Sequence, residues 1–203
     1  MIPAMEQNSF AMQGRRFVRW MRRFLFLTGT LAVAYVLLTL LHAKLYQQAA
    51  DNTLDNQIYA EGQYKETLPG ATPKEGDVLG RIEIPRLEVK VAILEGTTPQ
   101  TLRLGVGHIE GTALPGESGN IGIAGHRDTY FRVLKDIRTG DEIRIQTATG
   151  LSRYQVDLVQ IVAPSETGVL AASAGPAITL VTCYPFRFIG PAPERFVVHA
   201  RRE

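Results

Sequence analysis

One uncharged apolar stretch and a later series of short alternating stretches divide this chain into two regions. Residues 24–41 carry no charge, and the uncharged run continues to Ala43. Twenty such residues in a helix rise about 30 Å, which is the thickness of a bilayer's hydrocarbon core. From Asp77 onward, short apolar and β-branched runs alternate with turn residues, as is typical of a β-domain. The pattern therefore predicts a membrane-spanning helix followed by a mainly β domain.

The β region is predicted to contain seven strands and three short helices. The strands are expected at residues 80–84, 89–94, 120–124, 142–147, 153–162, 177–183 and 196–200. The helices are expected at residues 98–104, 129–137 and 166–172, and the first begins with Thr98 as N-cap and Pro99 behind it. Residues 105–119 are rich in Gly and Pro and are predicted to form a long loop. Many short strands with regular turns favour a small barrel or sandwich.

Charge sets the predicted orientation of the apolar run. Residues 1–50 hold six Lys or Arg against one acid, whereas residues 51–203 hold sixteen against nineteen. Five arginines precede the run, so the positive-inside rule places the N-terminus in the cytoplasm. A cleaved signal peptide is the competing interpretation, but the run is long for one and no A-x-A pattern follows it. The expected segments are therefore a cytoplasmic segment at 1–23, a transmembrane anchor at 24–43, a spacer at 44–76 and an extracytoplasmic domain at 77–203.

The charge, the candidate metal ligands and the motifs of the sequence argue against several classes of function. The slight acidic excess of the β region argues against a nucleic-acid partner, because phosphate binding requires a basic face. A zinc site needs three or four clustered ligands, and the chain offers one Cys and no His pair at metal spacing. The nucleotide-binding motifs GxxxxGK[ST] and GxGxxG and the hydrolase motif GxSxG are absent. The sequence therefore predicts no metal and no cofactor.

The single cysteine, Cys183, lies at the end of a predicted buried strand. Residues 178–182 are apolar or β-branched, and Pro185 ends the strand pattern directly after the thiol. An unpaired Cys is more often a small buried hydrophobe than a nucleophile. A catalytic thiol needs a neighbouring group that accepts its proton, usually a histidine.

Two histidines and two arginines are candidates to work with this thiol. His126 follows an apolar strand and Gly125, which leaves space beside an imidazole, whereas His108 lies in the predicted loop. Arg187 and Arg195 lie close to the cysteine in sequence, and a guanidinium stabilises the negative oxygen formed when a thiolate attacks a carbonyl. Arg195 opens the last predicted strand, so pairing of the last two strands would bring it beside the thiol.

Three motifs resemble those of the sortases, the membrane-anchored cysteine transpeptidases. They are TLVTC at residues 179–183, GNIGIAGHRD at 119–128 and RFVV at 195–198. They occur in the family's order, and the resemblance covers roughly residues 77–201. Tyr184-Pro185 after the cysteine and His-Arg-Asp at the histidine are most similar to class D sortases. The absence of an Asp-Pro-aromatic motif argues against the pilin-polymerising class C.

The resemblance implies a fold and a set of roles. The fold would be a closed eight-stranded β-barrel with short helices, one strand more than the hydrophobic pattern reveals. Cys183 would be the nucleophile, His126 the general acid and base, and Arg195 the stabiliser of the oxyanion. In the family, the thiolate attacks the Thr carbonyl of an LPxTG-like sorting signal, and an amine then resolves the thioacyl-enzyme. The implied partners are secreted proteins that carry a C-terminal sorting signal, an amine acceptor on another protein or a cell-wall precursor, and the membrane.

Two other functions remain open on the residues alone. One is a membrane-tethered thiol peptidase that only hydrolyses its substrate, since water and amines compete for the same thioester. The other is a non-catalytic β-module that binds envelope partners, and it predicts a buried and unreactive Cys183. The favoured prediction is an extracytoplasmic transpeptidase, anchored once in the plasma membrane, that attaches proteins to the cell envelope.

Overall fold

The computed structural model describes residues 4–61, 73–188 and 190–202, and within the first range it describes the side chains of residues 17–49. The chain forms two compact units, Met1–Lys44 and Leu45–Glu203. The part of the predicted spacer at residues 62–72 lies outside the described residues. The four segment boundaries drawn from the sequence therefore stay predictions.

Helix α1 (Ala4–Glu61) contains one stretch, Phe17–Ala49, that is long and apolar enough to cross a membrane. Its 33 residues rise about 50 Å. Large apolar side chains such as Trp20, Phe26 and Leu38 are exposed on this stretch. Exposing so much apolar surface to water is unfavourable, whereas a lipid environment accepts it. The helix thus has the character expected of a membrane anchor.

Eight strands close into a β-barrel, as the resemblance implies. The strands follow one another around the barrel in the order β1-β2-β3-β4-β7-β8-β6-β5. They are β1 (Val78–Ile84), β2 (Val89–Glu95), β3 (Val106–His108), β4 (Asn120–Ala124), β5 (Glu142–Thr147), β6 (Gly150–Val162), β7 (Ala177–Tyr184) and β8 (Glu194–Arg202). The β2–β3 and β4–β7 pairs are parallel and the other six are antiparallel. Closure leaves no strand edge open to unwanted pairing.

The strand that the hydrophobic pattern misses is β3 (Val106–His108), so the prediction of a loop was wrong for these three residues. A run this short, with glycine at its centre, shows no alternation of apolar and polar positions. Glycine is needed there, because a Cβ atom on Gly107 would lie 2.2 Å from the carbonyl oxygen of Gly96. Pairing with β2 and β4, rather than local propensity, makes this segment a strand.

The three predicted helices are present in shortened form. Helix α2 (Pro99–Leu104) begins after Thr98, whose hydroxyl accepts a hydrogen bond from the Thr101 amide at 3.3 Å. The helices expected at 129–137 and 166–172 are instead short 3₁₀ turns, Arg132–Asp136 and Thr167–Leu170. A turn or two of this kind lacks the amphipathic length that would stabilise an α-helix.

The barrel interior is filled by aliphatic side chains from alternate strand positions. Its largest fully buried residues include isoleucines from β1, β2, β4 and β5, together with Phe131 and Leu134. On β4 and β7, the inward residues are Ile121, Ile123, Ile178 and Leu180. Because strand side chains alternate between faces, the residues between these point to the outside of the barrel, and so does Cys183, which continues the same alternation.

The last part of α1 adds two polar side chains to the second unit. The Gln47 carboxamide accepts a hydrogen bond from the Ala92 amide at 2.9 Å and donates one to the Leu104 carbonyl. The Tyr46 hydroxyl donates to the Gly76 carbonyl at 3.3 Å. Ala92 lies in β2 and Leu104 ends α2, so Gln47 joins the two segments just before β2 and β3 begin to pair.

Candidate active site

Cys183 and Arg195 are direct partners in the antiparallel pairing of β7 with β8. Residues directly opposite each other in such a pair project from the same face, with Cβ atoms about 4.5–5.5 Å apart. The sequence predicted this proximity on condition that the two strands pair, and they do. The register therefore brings the thiol and the guanidinium to the same strand end.

His126 reaches the same end of the barrel through the parallel pairing of β4 with β7. That ladder aligns Ala124 with Val181, and the Gly125 amide donates to the Val181 carbonyl at 3.1 Å. His126 and Cys183 each lie two residues further along their strands. Neighbouring strands run about 4.8 Å apart, and a spacing of two residues keeps the same face. Continued two residues past its last pair, Ala124–Val181, this register is expected to align His126 with Cys183 on the outer surface of the barrel.

The backbone around His126 is fixed by close packing. The Phe131 amide donates to the His126 carbonyl at 3.2 Å, which folds the following segment back over the strand end. The Phe131 ring then covers Gly125 so closely that a Cβ atom at that position would lie 2.6 Å from a ring carbon. Glycine before His126 is therefore required by space, which gives the Gly-His pair in the sequence a structural reason.

The thiol and the imidazole are both available for chemistry. Cys183 is a free cysteine, and it and His126 are each half-buried. Neither side chain forms a hydrogen bond to any residue within the described ranges 17–49, 73–188 and 190–202. A thiol of this kind acts as a nucleophile once an unengaged imidazole within reach accepts its proton.

Arg195 is held in place by the loop that precedes it. Its Nη1 donates to the Glu194 carbonyl at 2.9 Å and to the Ala192 carbonyl at 3.3 Å. Among the described residues no carboxylate pairs with it, so its charge is not neutralised locally. A cation oriented by neutral carbonyls is suited to stabilise an anion that forms only during a reaction.

Three aromatic rings stiffen the strand ends that carry these groups. The Phe186 and Phe196 ring centroids are 5.1 Å apart, and Tyr184 lies 6.2 Å from Phe196 and 5.9 Å from Phe186. Edge-to-face and offset contacts at these distances stabilise a fold beyond the area that they bury. The cluster packs the residues on both sides of the Cys183–Arg195 pair against one another.

The other candidate histidine, His108, lies in a buried network. Its Nδ1 is 2.9 Å from a carboxylate oxygen of Glu95, and its Nε2 is 3.0 Å from the Thr112 hydroxyl and 3.1 Å from the Ala113 carbonyl. Both ring nitrogens are therefore engaged, and β3 pairs His108 with Ile123 rather than with the strand end. Arg187, the other candidate arginine, is exposed on the β7–β8 loop. No group of three or more His, Cys, Asp or Glu side chains in the described parts of the chain could hold a metal ion.

Sequence reasoning did not find the contacts by which two residues connect the parts of this site. Thr182 and Arg127 each lie beside a candidate catalytic residue in the chain, and each reaches across to a different strand or loop. The only sequence signal for them is membership in the TLVTC and HRD motifs. Their contacts depend on the fold and could not be read from spacing.

Fold and site together define a closed β-barrel protein with a free thiol, a histidine and an arginine on three neighbouring strand ends. A family model described as Sortase domain matches residues 82–203. The chain belongs to the sortase family, whose members are cysteine transpeptidases.

Individual relatives agree with this family and with the class suggested by the motifs. Sortase D of Bacillus subtilis is 34% identical over 131 residues, which cover 64% of this chain and 66% of that protein. A solved Sortase D5 transpeptidase of Clostridium perfringens is similar with a TM-score of 0.64 and 29% identity, covering 79% of this chain and 97% of that one. The likeness to two class D proteins is consistent with the class predicted from Tyr184-Pro185.

A third relative was solved together with a peptide motif. It is Clostridium perfringens sortase C with the C-terminal cell wall sorting motif, similar with a TM-score of 0.60 and 31% identity over 76% of this chain and 86% of that one. The curated relatives are longer than the region that they share with this chain. The chain spans 66%, 50% and 57% of the length of three of them.

Proposed function

We propose that this protein is a membrane-anchored transpeptidase that cleaves an LPxTG-like sorting signal and joins the new carboxyl end to an amine. The observation that carries the proposal is the direct pairing of Cys183 with Arg195 across β7 and β8. The parallel register of β4 with β7 supports adding His126, because its continuation by two residues would bring that side chain to the same face. Acyl transfer by a thiol requires a nucleophile, a proton acceptor and a stabiliser of the oxyanion, and a fixed cation can serve as the third.

The first half of the proposed reaction forms a thioester. The imidazole of His126 accepts the thiol proton of Cys183, and the sulfur attacks the carbonyl carbon of the Thr residue in the signal. The carbonyl oxygen becomes negative and is stabilised by Arg195. When the carbon–nitrogen bond breaks, the imidazolium returns its proton to the leaving amine, and the acyl group remains on the sulfur.

The second half transfers the acyl group to an acceptor. An amine attacks the thioester carbonyl, His126 removes a proton from the attacking nitrogen, and the carbon–sulfur bond breaks as the thiol is restored. A thioester keeps its acyl-transfer potential, so a new amide forms without ATP. Water in place of the amine would give only hydrolysis, which is the alternative that the residues alone leave open.

We place this chemistry outside the cell. The five arginines before the uncharged run at residues 24–43 favour a cytoplasmic N-terminus and an extracytoplasmic barrel in the plasma membrane. Substrates would be secreted proteins with a C-terminal sorting signal, and the acceptor would be an amine on another protein or on a cell-wall precursor. The Clostridium perfringens relative solved with a cell wall sorting motif supports this substrate class.

The decisive experiment compares the full chain with its Cys183→Ala variant in detergent micelles, using peptides of LPxTG type with and without an added primary amine. We expect the wild type to yield an amide with the amine, and the variant to lose cleavage by about a thousandfold or more. Mass spectrometry should detect an acyl adduct on Cys183 alone. Hydrolysis in the presence of excess amine would favour the peptidase, and a thiol that resists alkylation in the folded protein would favour the non-catalytic module.

A further inference from the structure

We propose that Arg127 is a positioning residue of this site, which clamps the loop joining the strand of Cys183 to the strand of Arg195. The inference rests on the proposed function, because the roles of Cys183, His126 and Arg195 belong to it. Arg127 directly follows His126 in the chain. Its side chain therefore links the histidine segment to the loop between the other two groups.

The clamp consists of three hydrogen bonds and one ring contact. Nη1 of Arg127 donates to the Pro185 carbonyl at 3.0 Å, and Nη2 donates to the Phe188 carbonyl at 2.8 Å and to the Gly190 carbonyl at 3.1 Å. The guanidinium carbon lies 5.8 Å from the centre of the Phe188 ring, within the range of a cation–π interaction. One side chain thus binds the loop at three positions spread over six residues.

This geometry requires arginine and could not be formed by lysine. The guanidinium is a rigid plane with five N–H donors, so it can hold several carbonyls that approach from different directions. A lysine ammonium at the end of a flexible stem offers a single point of contact and cannot reproduce the fork or the flat stacking on Phe188. The three acceptors are backbone carbonyls, so the clamp requires no particular side chain in the loop except the aromatic ring.

The clamped loop lies one residue pair away from Cys183 and Arg195. Only the Tyr184–Glu194 pair separates the Cys183–Arg195 pair from the loop. The Arg195 guanidinium is itself held by the Ala192 carbonyl at the far end of that loop and by the carbonyl of Glu194, which begins β8. If the loop moved, the direction of Arg195 would change with it. Arg127 therefore fixes Arg195 relative to Cys183 through the loop backbone, without touching the substrate.

The consequence for the reaction is a selective loss of rate. Misplacing a stabilising group by about 1 Å can cost on the order of 100-fold in rate, whereas substrate binding along the rest of a groove is unaffected. Arg127→Met should therefore lower kcat by about 10- to 100-fold and change KM by less than about threefold. Arg127→Lys keeps the charge but not the fork, so it should recover only a small part of the lost rate.

The test uses the full chain and two matched controls. Arg187→Met removes a cation from the same loop, where the exposed Arg187 makes no hydrogen bond or ion pair to the described residues. Arg132→Met removes an exposed cation five residues after Arg127. Both controls should keep kcat within about twofold of the wild type. Hydrogen exchange of the loop amides at 186–188, 190 and 192 should accelerate in both Arg127 variants and in neither control, while the alkylation rate of Cys183 stays unchanged.

The outcomes separate this inference from the proposed function. Full activity of Arg127→Lys, or a lower kcat without faster loop exchange, overturns the clamp. A general loss of folding would appear as faster hydrogen exchange throughout the barrel. If both Arg127→Lys and Arg127→Met show it, the positioning role is overturned as well. Transfer that survives in Cys183→Ala would refute the proposed function instead. Loop exchange then still measures the clamp, because that readout does not depend on catalysis.

Discussion

Thr182 donates a 2.7 Å hydrogen bond from its hydroxyl to the backbone carbonyl of Gly125. The two residues immediately precede Cys183 and His126; Thr182 lies in β7, and Gly125 directly follows the neighbouring parallel strand β4. Thr182 is buried, so water cannot replace this bond. This hydrogen bond joins the two chain segments beyond Ala124 and Val181, the last pair of the ladder. It therefore ties the thiol segment to the histidine segment at the point where both leave the barrel.

Replacing Thr182 with valine should weaken both stability and turnover. Valine has nearly the same shape but no hydroxyl, so the Gly125 carbonyl would be left buried without its donor, at a cost of about 1–3 kcal/mol. We expect a lower denaturation midpoint and a reduced kcat, with Thr182→Ser recovering part of each. Thr139→Val at an exposed position is the matched control. Unchanged stability and turnover in Thr182→Val would mean that the hydrogen bond does not hold the strand ends.

Substituting Gly125 with alanine should damage the histidine segment by overpacking. The added methyl group would lie 2.6 Å from the Phe131 ring, so either the ring or the backbone before His126 must move. Overpacking of this kind costs about 1–3 kcal/mol, and we expect turnover to fall together with the thermal midpoint. Adding Phe131→Leu should restore part of the activity of Gly125→Ala by freeing the space.

Gly175→Ala is the matched control for that experiment, because a methyl group there meets no atom within 4 Å. It should leave turnover and the thermal midpoint close to wild-type values. A Gly125→Ala variant that behaves like this control would contradict the close packing of Phe131 on Gly125.

Much of the barrel could be predicted because alternation on its longer strands is strong. β1 and β5 each bury every second residue over most of their length, which is the pattern that a half-buried strand produces. β7 buries its first four residues in succession, and its continuous apolar and β-branched run predicted a strand instead. β3 could not be predicted, since three residues centred on Gly107 are too few to show an alternation of apolar and polar positions. The closed topology also lay beyond local patterns, and it was implied only by the resemblance to sortases.

Part of the candidate site could likewise be predicted from the sequence, and part could not. The neighbourhood of Cys183 and Arg195 followed from two adjacent predicted strands, and the β7–β8 register contains that pair. The catalytic roles of these residues and of His126 remain predictions until variants are assayed. The contact of Thr182 depends on the parallel pairing of β4 with β7, and that of Arg127 depends on the path of a loop. Neither can be predicted from the spacing of residues in the sequence.

Gln47→Leu should destabilise the barrel although residue 47 lies in the long N-terminal helix. The carboxamide joins the Ala92 amide to the Leu104 carbonyl, and leucine can serve neither group. Ala92 is buried, so its unpaired N–H should cost about 1–3 kcal/mol. The neighbouring Gln48 is exposed, which makes Gln48→Leu a matched control. Hydrogen exchange at Ala92 in the full chain should accelerate in the first variant only, and equal exchange in both would contradict the contact.

The acid stability of the barrel should depend on Asp141. Its carboxylate accepts hydrogen bonds from Nε and Nη2 of Arg86, each at 2.5 Å, and from the Arg138 amide at 2.7 Å. The bond from Arg86 is the main cause that holds the pKa of Asp141 below its usual value, and the Arg138 amide adds to it. A carboxyl whose pKa is lower in the folded state stabilises the fold above the unfolded pKa of about 3.9.

That contribution should disappear as the pH falls through the lowered pKa of the folded protein, because the proton then binds both states. Wild-type barrel stability should therefore decline between roughly pH 5 and the lowered pKa, and Asp141→Asn should be less stable at pH 7 with a flatter profile over that range. Urea midpoints measured at pH 7, 5 and 3 for the two proteins would show this difference. Asp128→Asn, at an exposed position, is the control and should follow the wild type. Parallel profiles for wild type and Asp141→Asn would show that the Arg86–Asp141 pair does not govern acid unfolding.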